Sequence, residues 1–253
     1  MIVLLSPAKT LDFSPVDIQT FSQPRLLKDS EKLVKILKKK STASIQALMK
    51  ISEKIAALNV ERYRQFSIPF TTENAKPSIF AFKGDVYVGL EADDFDEQDL
   101  SFAQNHLRIL SGLYGLLRPL DLMQSYRLEM GTKLKNGRYK NLYEFWGNRI
   151  TSLINEDLKN ANSKTVLNLA SKEYFSSVNP KGLNANLVTV HFKEQRGDTL
   201  KVIAFNAKKA RGAMAKQIIK YKITKAEDLK PLVVNDYIFN ENLSSEADLV
   251  FVK

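Results

Sequence analysis

The chain has 253 residues, 44% of them hydrophobic and 9% aromatic, which is enough apolar material for one large folded domain or two small ones. The formal net charge is +10 and cysteine is absent, which excludes disulfides, cysteine-ligated zinc, iron–sulfur clusters and thiol catalysis. No apolar run reaches about 18 residues and no basic segment precedes the first apolar stretch, so we expect no membrane span, no secretory signal and a cytoplasmic location.

The positive charge is concentrated in the middle of the chain. Residues 1–100 carry 14 basic and 14 acidic side chains, whereas residues 101–230 carry 23 basic and 10 acidic ones. A basic region of this kind is typical of surfaces that bind phosphate or nucleic acid, because Lys and Arg displace counterions from phosphates. A charge that serves only solubility is the alternative.

The first half of the chain predicts one buried strand followed mainly by helices. The apolar run at 2–6 predicts a strand. Apolar residues at helical spacing predict helices over 29–40 and 44–66, which we expect to form a helical hairpin. Residues 76–90 begin like a strand and turn at Lys83-Gly84-Asp85. The acidic segment 91–99 predicts a solvated loop that leads into the amino end of a helix over 97–111.

Strands and helices alternate in the second half as well. A helix is predicted over 141–160, a strand over 164–171, two strands over 185–207, a basic helix over 208–223 and a terminal hairpin after it. No linker or repeat divides these segments. We therefore predict an α/β fold, a single domain over residues 1–253 with a central mixed sheet surrounded by helices.

The stretch "LSGLYGLLRPLDLMQ" at 110–124 interrupts an apolar pattern with two glycines. We interpret it as a helix–hairpin–helix element over about 101–124, in which Gly112 and Gly115 leave backbone N–H groups free to hold a phosphate. Arg118 and Arg127 would add charge-assisted hydrogen bonds to neighbouring phosphates. A glycine cap followed by a simple turn is the alternative. A motif of this type contacts no base edges, so DNA binding without sequence preference is expected.

Other polar residues follow predicted strands or glycine turns, where ligands often bind in α/β proteins. Because a cation in the first turns of a helix opposes the helix dipole, the start of the basic helix suggests a bound anion. The candidates for this phosphate contact are Lys208, Lys209 and Arg211. The candidates for a pocket, with room for a small anionic ligand, are Lys9, Thr10, Asp12, Lys83, Asp85 and Asp121. We expect Lys9, Asp85, Arg118 and Arg127 to line one cleft.

Conventional catalytic and metal-binding patterns are missing. His106 and His191 are the only histidines, and their spacing does not fit a metal-ligand pair, so a structural role is favoured for both. The sequence has no nucleophile elbow, Walker loop or dinucleotide fingerprint. It therefore predicts no cofactor or metal ion and identifies no catalytic residue.

Six stretches together resemble the YaaA family of bacterial peroxide stress resistance proteins, in the same order and over nearly the whole chain. They are "LLSPAKTLDF" (4–13), "FKGDVYVGL" (82–90), "LSGLYGLLRPLDLMQSYRLEMGTKL" (110–134), "NLYEFWG" (141–147), "NLASKEYF" (168–175) and "KKARGAMA" (208–215). The resemblance implies a cytoplasmic protein that helps cells to survive hydrogen peroxide and is associated with limiting free iron. It also implies DNA binding by an unusual α/β fold with a basic cleft and a helix–hairpin–helix element.

Three functions stay open at this point. The first, favoured by the resemblance, is a DNA-binding protein that protects DNA during peroxide stress. The second is an enzyme that acts on a nucleotide or nucleic acid through a pocket at the strand ends. The third is an iron-binding protein that uses carboxylates, of which 91–99 is the one dense cluster.

Overall fold

The computed structural model describes residues 1–253. Its ten strands are β1 (Ile2–Leu5), β2 (Lys76–Pro77), β3 (Leu107–Ser111), β4 (Gly115–Leu117), β5 (Leu122–Met123), β6 (Thr165–Asn168), β7 (Asn186–Arg196), β8 (Thr199–Lys201), β9 (Ile238–Phe239) and β10 (Asp248–Val252). Its ten helices are α1 (Leu27–Leu37), α2 (Thr42–Met49), α3 (Glu53–Gln65), α4 (Ser78–Ala81), α5 (Asp85–Leu90), α6 (Glu97–His106), α7 (Leu142–Trp146), α8 (Arg149–Asn160), α9 (Lys172–Phe175) and α10 (Ala204–Lys220).

Eight of the strands form one mixed sheet, which confirms the predicted fold class. Its order is β4-β3-β1-β6-β7-β10-β9, with β8 paired to β7. The five strands β3, β1, β6, β7 and β10 are parallel, while β4, β8 and β9 pair antiparallel with their neighbours. Strand β1 is buried along its whole length, as expected for an unbroken apolar run in a parallel sheet covered on both faces.

The buried apolar side chains form one core cluster of 65 residues. Helix α10 crosses the sheet near β7 and β1 and packs most extensively against α5. The single tryptophan, Trp146, is fully buried in this core. No helix combines the length and the hydropathy that crossing a membrane requires.

Two predicted helices are each divided in two. The pattern over 44–66 becomes α2 and α3, because Lys50 takes a left-handed backbone (φ 53°) and Ser52 caps the start of α3. The pattern over 141–160 becomes α7 and α8, separated by Gly147 at φ 50°. Apolar periodicity continues through both breaks, so it could not reveal them. The segment 76–90, predicted to begin as a strand, is mainly α4 and α5, with β2 limited to two residues.

The helix–hairpin–helix prediction for 101–124 is wrong. Helix α6 ends at His106, and the chain continues as the antiparallel pair β3 and β4. The turn between them is buried rather than open, since Leu113 and Tyr114 are fully covered. The Tyr114 N–H donates to the Ser111 Oγ, so the backbone of this turn is not available to a phosphate.

The two glycines of the turn serve packing. A Cβ atom on Gly112 would lie 2.1 Å from the carbonyl oxygen of Leu128, so only glycine lets the segment after β5 approach this closely. Gly115 has φ +69°, and a Cβ there would lie 2.9 Å from Leu26 and 3.0 Å from Trp146. A run of apolar residues buried on both faces suits a strand as well as a helix, which is why the pattern was ambiguous.

Candidate functional site

The sheet has a topological switch point between β1 and β6. The chain passes from β1 to β3 on one side and from β6 to β7 on the other, while β1 and β6 are direct parallel neighbours. Connections that leave in opposite directions open a crevice at the carboxyl ends of the two strands, where ligands bind in open α/β sheets. Ser6 and Ser171 meet there, since the Ser171 N–H donates to the Ser6 Oγ at 2.9 Å.

The segment after β1 lies against the start of α5. The Tyr87 hydroxyl donates to the carbonyl oxygen of Ser6 at 3.2 Å, and burial raises the pKa of Tyr87 well above its usual value, which keeps the hydroxyl protonated. A Cβ on Gly84 would lie 3.0 Å from the Cβ of Ala8, so the two segments are in close contact. Asp85 is thereby placed beside the loop that carries Lys9.

A carboxylate joins two of the predicted cations. Glu129 accepts from the Lys9 Nζ at 3.1 Å and from the Arg127 Nη2 at 2.9 Å. The Tyr63 hydroxyl of α3 donates to the carbonyl oxygen of Arg127 and fixes the backbone of this segment. Gly112 beneath the segment allows its close approach, so the glycine predicted to bind phosphate instead supports residues that carry charge.

Helix α10 is held against α5 by two glycines. A Cβ on Gly212 would lie 1.7 Å from the Val86 carbonyl oxygen, and a Cβ on Gly89 would lie 2.1 Å from that of Lys209. This contact brings Lys208 to 3.7 Å from Asp85. We name the following set the strand-end site: Ser6, Lys9, Asp85, Tyr87, Arg127, Glu129, Ser171, Lys208 and Arg211.

Two arginines of the strand-end site have unused hydrogen-bond donors. Arg127 donates to Glu129 from Nη2, but its Nε is buried without a partner. Arg211 lies one turn after Lys208 on α10, and its guanidinium makes no hydrogen bond or ion pair although its Nε is buried. Burial lowers the pKa of Arg211. A guanidinium has five donors, so both side chains can bind an anionic ligand.

The cationic character extends beyond Arg127. Burial lowers the pKa of Arg62, and the positive charge of nearby Arg127 lowers it further. Like charges that lie close together without enough carboxylates favour a bound anion, because the anion removes their repulsion.

Not every predicted residue belongs to this site. Arg118 donates from Nη2 to Asp121 at 2.9 Å, and the buried Asp121 also accepts from the Ser22 hydroxyl. No hydrogen bond or ion pair links Arg118 or Asp121 to the strand-end site, whereas Lys9 and Arg127 share Glu129 and the loop of Lys9 contacts the turn before Asp85. Thr10 and Lys209 are exposed.

The loop that carries Asp12 lies beside the strand-end site. Asp12 accepts from the Lys83 Nζ at 2.7 Å. The hydrogen bond from Lys83 holds the pKa of Asp12 well below its usual range. The sequence predicts both residues for a pocket, and both line a cavity, where they form an ion pair.

The acidic segment 91–99 is a partner of α10 rather than a solvated loop. Lys216 forms ion pairs with Glu91 and Asp94, and Lys220 pairs with Asp99 at 2.5 Å. Asp99 also completes a capping box with Asp96 at the start of α6, where the segment leads as predicted. The carboxyl-terminal half of α10 is therefore neutralised within the fold, whereas its amino-terminal half is not.

The two histidines make local contacts. The His106 ring is stacked on Phe102, and its Nδ1 lies 2.9 Å from the carbonyl oxygen of Met1. The Nε2 of His191 lies 2.6 Å from Asp248 across neighbouring strands.

Sequence reasoning missed three groups near this edge of the sheet. Tyr87 was missed because it follows a helical period. Glu173 accepts from the Gly131 N–H and was missed because α9, which carries it, has only four residues. Lys76 was missed because a lysine that begins a predicted strand is usually exposed, yet the stem of this side chain is buried.

The whole chain has relatives among known proteins. The family described as peroxide stress protein YaaA matches residues 1–243. A UPF0246 protein of Aliivibrio fischeri (strain MJ11) is 52% identical over 252 residues, which cover 99% of this chain and 97% of the relative. A UPF0246 protein of Saccharophagus degradans is 50% identical over 254 residues, or 100% of this chain and 99% of the relative. The chain thus belongs to the YaaA family of peroxide stress proteins.

Proposed function

We propose that this protein acts in the cytoplasmic response to peroxide as a DNA-binding protein, and that the strand-end site holds backbone phosphates. The observation that carries the proposal is the pair of arginines with unused donors: Arg127, which shares Glu129 with Lys9 of the loop after β1, and Arg211, one turn after Lys208 on α10. Planar guanidinium groups match phosphate geometry, and the Nη donors of Arg211 have no protein partner.

The pairing of charges favours the amino-terminal half of α10 as the surface that contacts phosphate. Lys208 is 3.7 Å from its carboxylate partner, Lys209 is exposed and without a partner, and Arg211 has none. Cations further along α10 are already bound to Glu91, Asp94 and Asp99. Because phosphate contacts carry no base information, we expect binding without sequence preference.

The test compares two variants that lose the same positive charge, one at the carboxyl ends of the strands and one at the amino ends. In the first, Lys208, Lys209 and Arg211 are each replaced by Gln. In the control, Gln replaces Lys159, Lys164 and Lys225, three exposed residues near the amino end of β6. Binding of a labelled duplex is measured by fluorescence anisotropy over a series of salt concentrations.

We expect the first variant to bind more weakly and to have a flatter plot of log affinity against log salt. The slope should fall by roughly one unit for each phosphate that the variant no longer binds, up to about three units. The control should keep the wild-type slope. Equal slopes for the two variants would show that net charge, and not the strand-end site, carries the binding.

The other two functions have less support. An enzyme acting on a nucleotide is favoured by one observation, the position of Asp85 and Glu129 beside the switch point. Turnover of nucleotides or DNA that is lost on Glu129→Gln, with DNA affinity retained, would establish it. For a carboxylate iron site, the structure places no group of three or more His, Asp or Glu side chains to hold a metal ion.

A further inference from the structure

Lys76 has a buried side-chain stem and an ammonium group that reaches solvent without a protein partner. Six charged side chains are buried in the fold: Lys76, Asp99, Arg108, Asp121, Asp157 and Glu194. The other five form hydrogen bonds and ion pairs with protein groups. Lys76 is 9% exposed, and its ammonium group makes neither a hydrogen bond nor an ion pair. An ammonium with no protein partner keeps its donors free for a ligand.

Lys76 lines a cavity of about 390 Å³, which we name the Lys76 cavity. Its volume lies in the range of small-molecule sites. Its apolar wall is formed by Val16, Ile79, Phe80, Phe82 and Val88. Tyr87 and Lys83 also line it, so it adjoins the strand-end site, where Tyr87 contacts Ser6.

The polar groups of the cavity separate into paired and free ones. Asp12 is paired with Lys83, and Glu91 and Asp94 are both paired with Lys216. Asp93 has no ion pair or hydrogen bond and is exposed. The free groups are therefore a donor, Lys76, and an acceptor, Asp93, in a cavity that also has an apolar wall.

We propose that the Lys76 cavity binds an unpaired nucleobase that presents both a carbonyl oxygen and an amino group, which means guanine or cytosine. The Lys76 ammonium donates to the carbonyl oxygen, Asp93 accepts from the amino group, and the apolar wall covers the ring. The phosphate of the same nucleotide lies in the strand-end site. This inference rests on the proposed function, and the base comes either from a free nucleotide or from an unpaired position in a strand.

The experiment measures binding of GMP, CMP, AMP, UMP and inorganic phosphate by calorimetry to the wild type and to Lys76→Met, which keeps an unbranched apolar stem of similar length but removes the ammonium. Lys225→Met serves as the control for loss of one charge.

Asp93→Asn is tested with GMP and with IMP, which lacks the amino group. Two single-stranded oligonucleotides, all thymine or with one central guanine, and the matching duplex separate the two sources.

We expect the wild type to bind GMP and CMP about tenfold more tightly than AMP and UMP, a difference that Lys76→Met removes while phosphate affinity stays unchanged. Asp93→Asn should reduce GMP affinity to that of IMP. Preference for the single-stranded guanine oligonucleotide identifies a strand as the source, and its absence identifies the free nucleotide.

If all four nucleotides bind equally while the salt-dependent DNA binding persists, the base site is overturned and the proposed function stands. If neither nucleotides nor DNA bind, both are overturned.

Discussion

At the residue scale, the buried charges divide into those that stabilise the fold and those that have no partner within it. Asp157 of α8 belongs to the first group, since it accepts from Arg25 and from the buried Arg108 at 2.6–2.9 Å. Burial alone would raise the pKa of Asp157, but the hydrogen bonds from Arg108 and Arg25 outweigh it and lower that pKa. Arg211, whose Nε is buried, and Lys76, whose stem is buried, belong to the second group, because no carboxylate pairs with either.

The Asp157 network predicts a pH-dependent loss of stability. A carboxyl whose pKa is lowered by folding stabilises the fold above its unfolded pKa of about 4, and this contribution is lost as the pH falls through the folded value. Asp157→Asn should cost about 3 kcal/mol at neutral pH, because Arg108 stays buried without its partner. Urea unfolding at a series of pH values measures it. The variant should lose less further stability below pH about 4 than the wild type does.

The exposed Asp17→Asn is the control for this measurement and should change stability by less than about 0.5 kcal/mol. Equal acid sensitivity of the wild type and Asp157→Asn would show that this carboxyl does not contribute to the pH dependence.

The sequence located several site residues at this scale and missed others for a physical reason. Strand ends and glycine turns predict that Lys9 and Arg127 lie close together, and Glu129 joins them, while their role in binding stays a prediction. Lys76 was not predicted, since burial of a lysine depends on tertiary packing. Arg118 was assigned to the site because its charge is visible in the sequence, while its partner Asp121 was not recognised.

At the element scale, the crossing of α5 and α10 sets the geometry of the strand-end site. Each helix contributes one glycine, Gly89 or Gly212, and each glycine lies against the backbone of the other helix. Alanine at either position would force the helices apart and separate Asp85 from Lys208.

Gly212→Ala should therefore destabilise the protein by about 2–3 kcal/mol, even though alanine is the better helix former. It should also weaken DNA binding, measured on protein that is folded at the assay temperature. The neighbouring Ala213→Gly, which opens space without a clash, should cost only about 1 kcal/mol. A Gly212→Ala protein as stable as the wild type would mean that the helix contact is not tight.

Some elements could be predicted and others could not. The strands β1 and β6 followed from short apolar runs, and the class of sheet followed from the alternation of strands and helices. The sequence predicts helix where the structure has β3 and β4, because Leu107, Leu110 and Leu116 fit a helical period as well as a buried strand. The choice between helix and strand for this segment depends on its tertiary position, since β3 and β4 lie between β1 and the edge of the sheet.

At the scale of the whole molecule, the uneven charge of the sequence becomes an uneven surface. The acidic segment 91–99 neutralises Lys216, Lys220 and Lys222, which the sequence count assigned to the basic region. The cations of α10 that this segment does not neutralise lie in the amino-terminal half of the helix, at or next to the strand-end site. Net charge could be counted from the sequence, but which charges cancel depends on the fold.

The single core predicts that the whole chain unfolds as one unit. Trp146, the only tryptophan, lies in the same cluster of 65 residues as Phe251 of β10 and Ile2 of β1. Its fluorescence reports local unfolding around α7, whereas far-UV circular dichroism reports all helices and strands. In urea the two signals should change with the same midpoint and the same slope, since a two-state transition moves every probe together.

Gly212→Ala, which acts at α10, should shift both midpoints equally. If the fluorescence midpoint stayed fixed while the dichroism midpoint moved, α5 and α10 would form a unit that unfolds separately, and the prediction of one domain over residues 1–253 would be wrong.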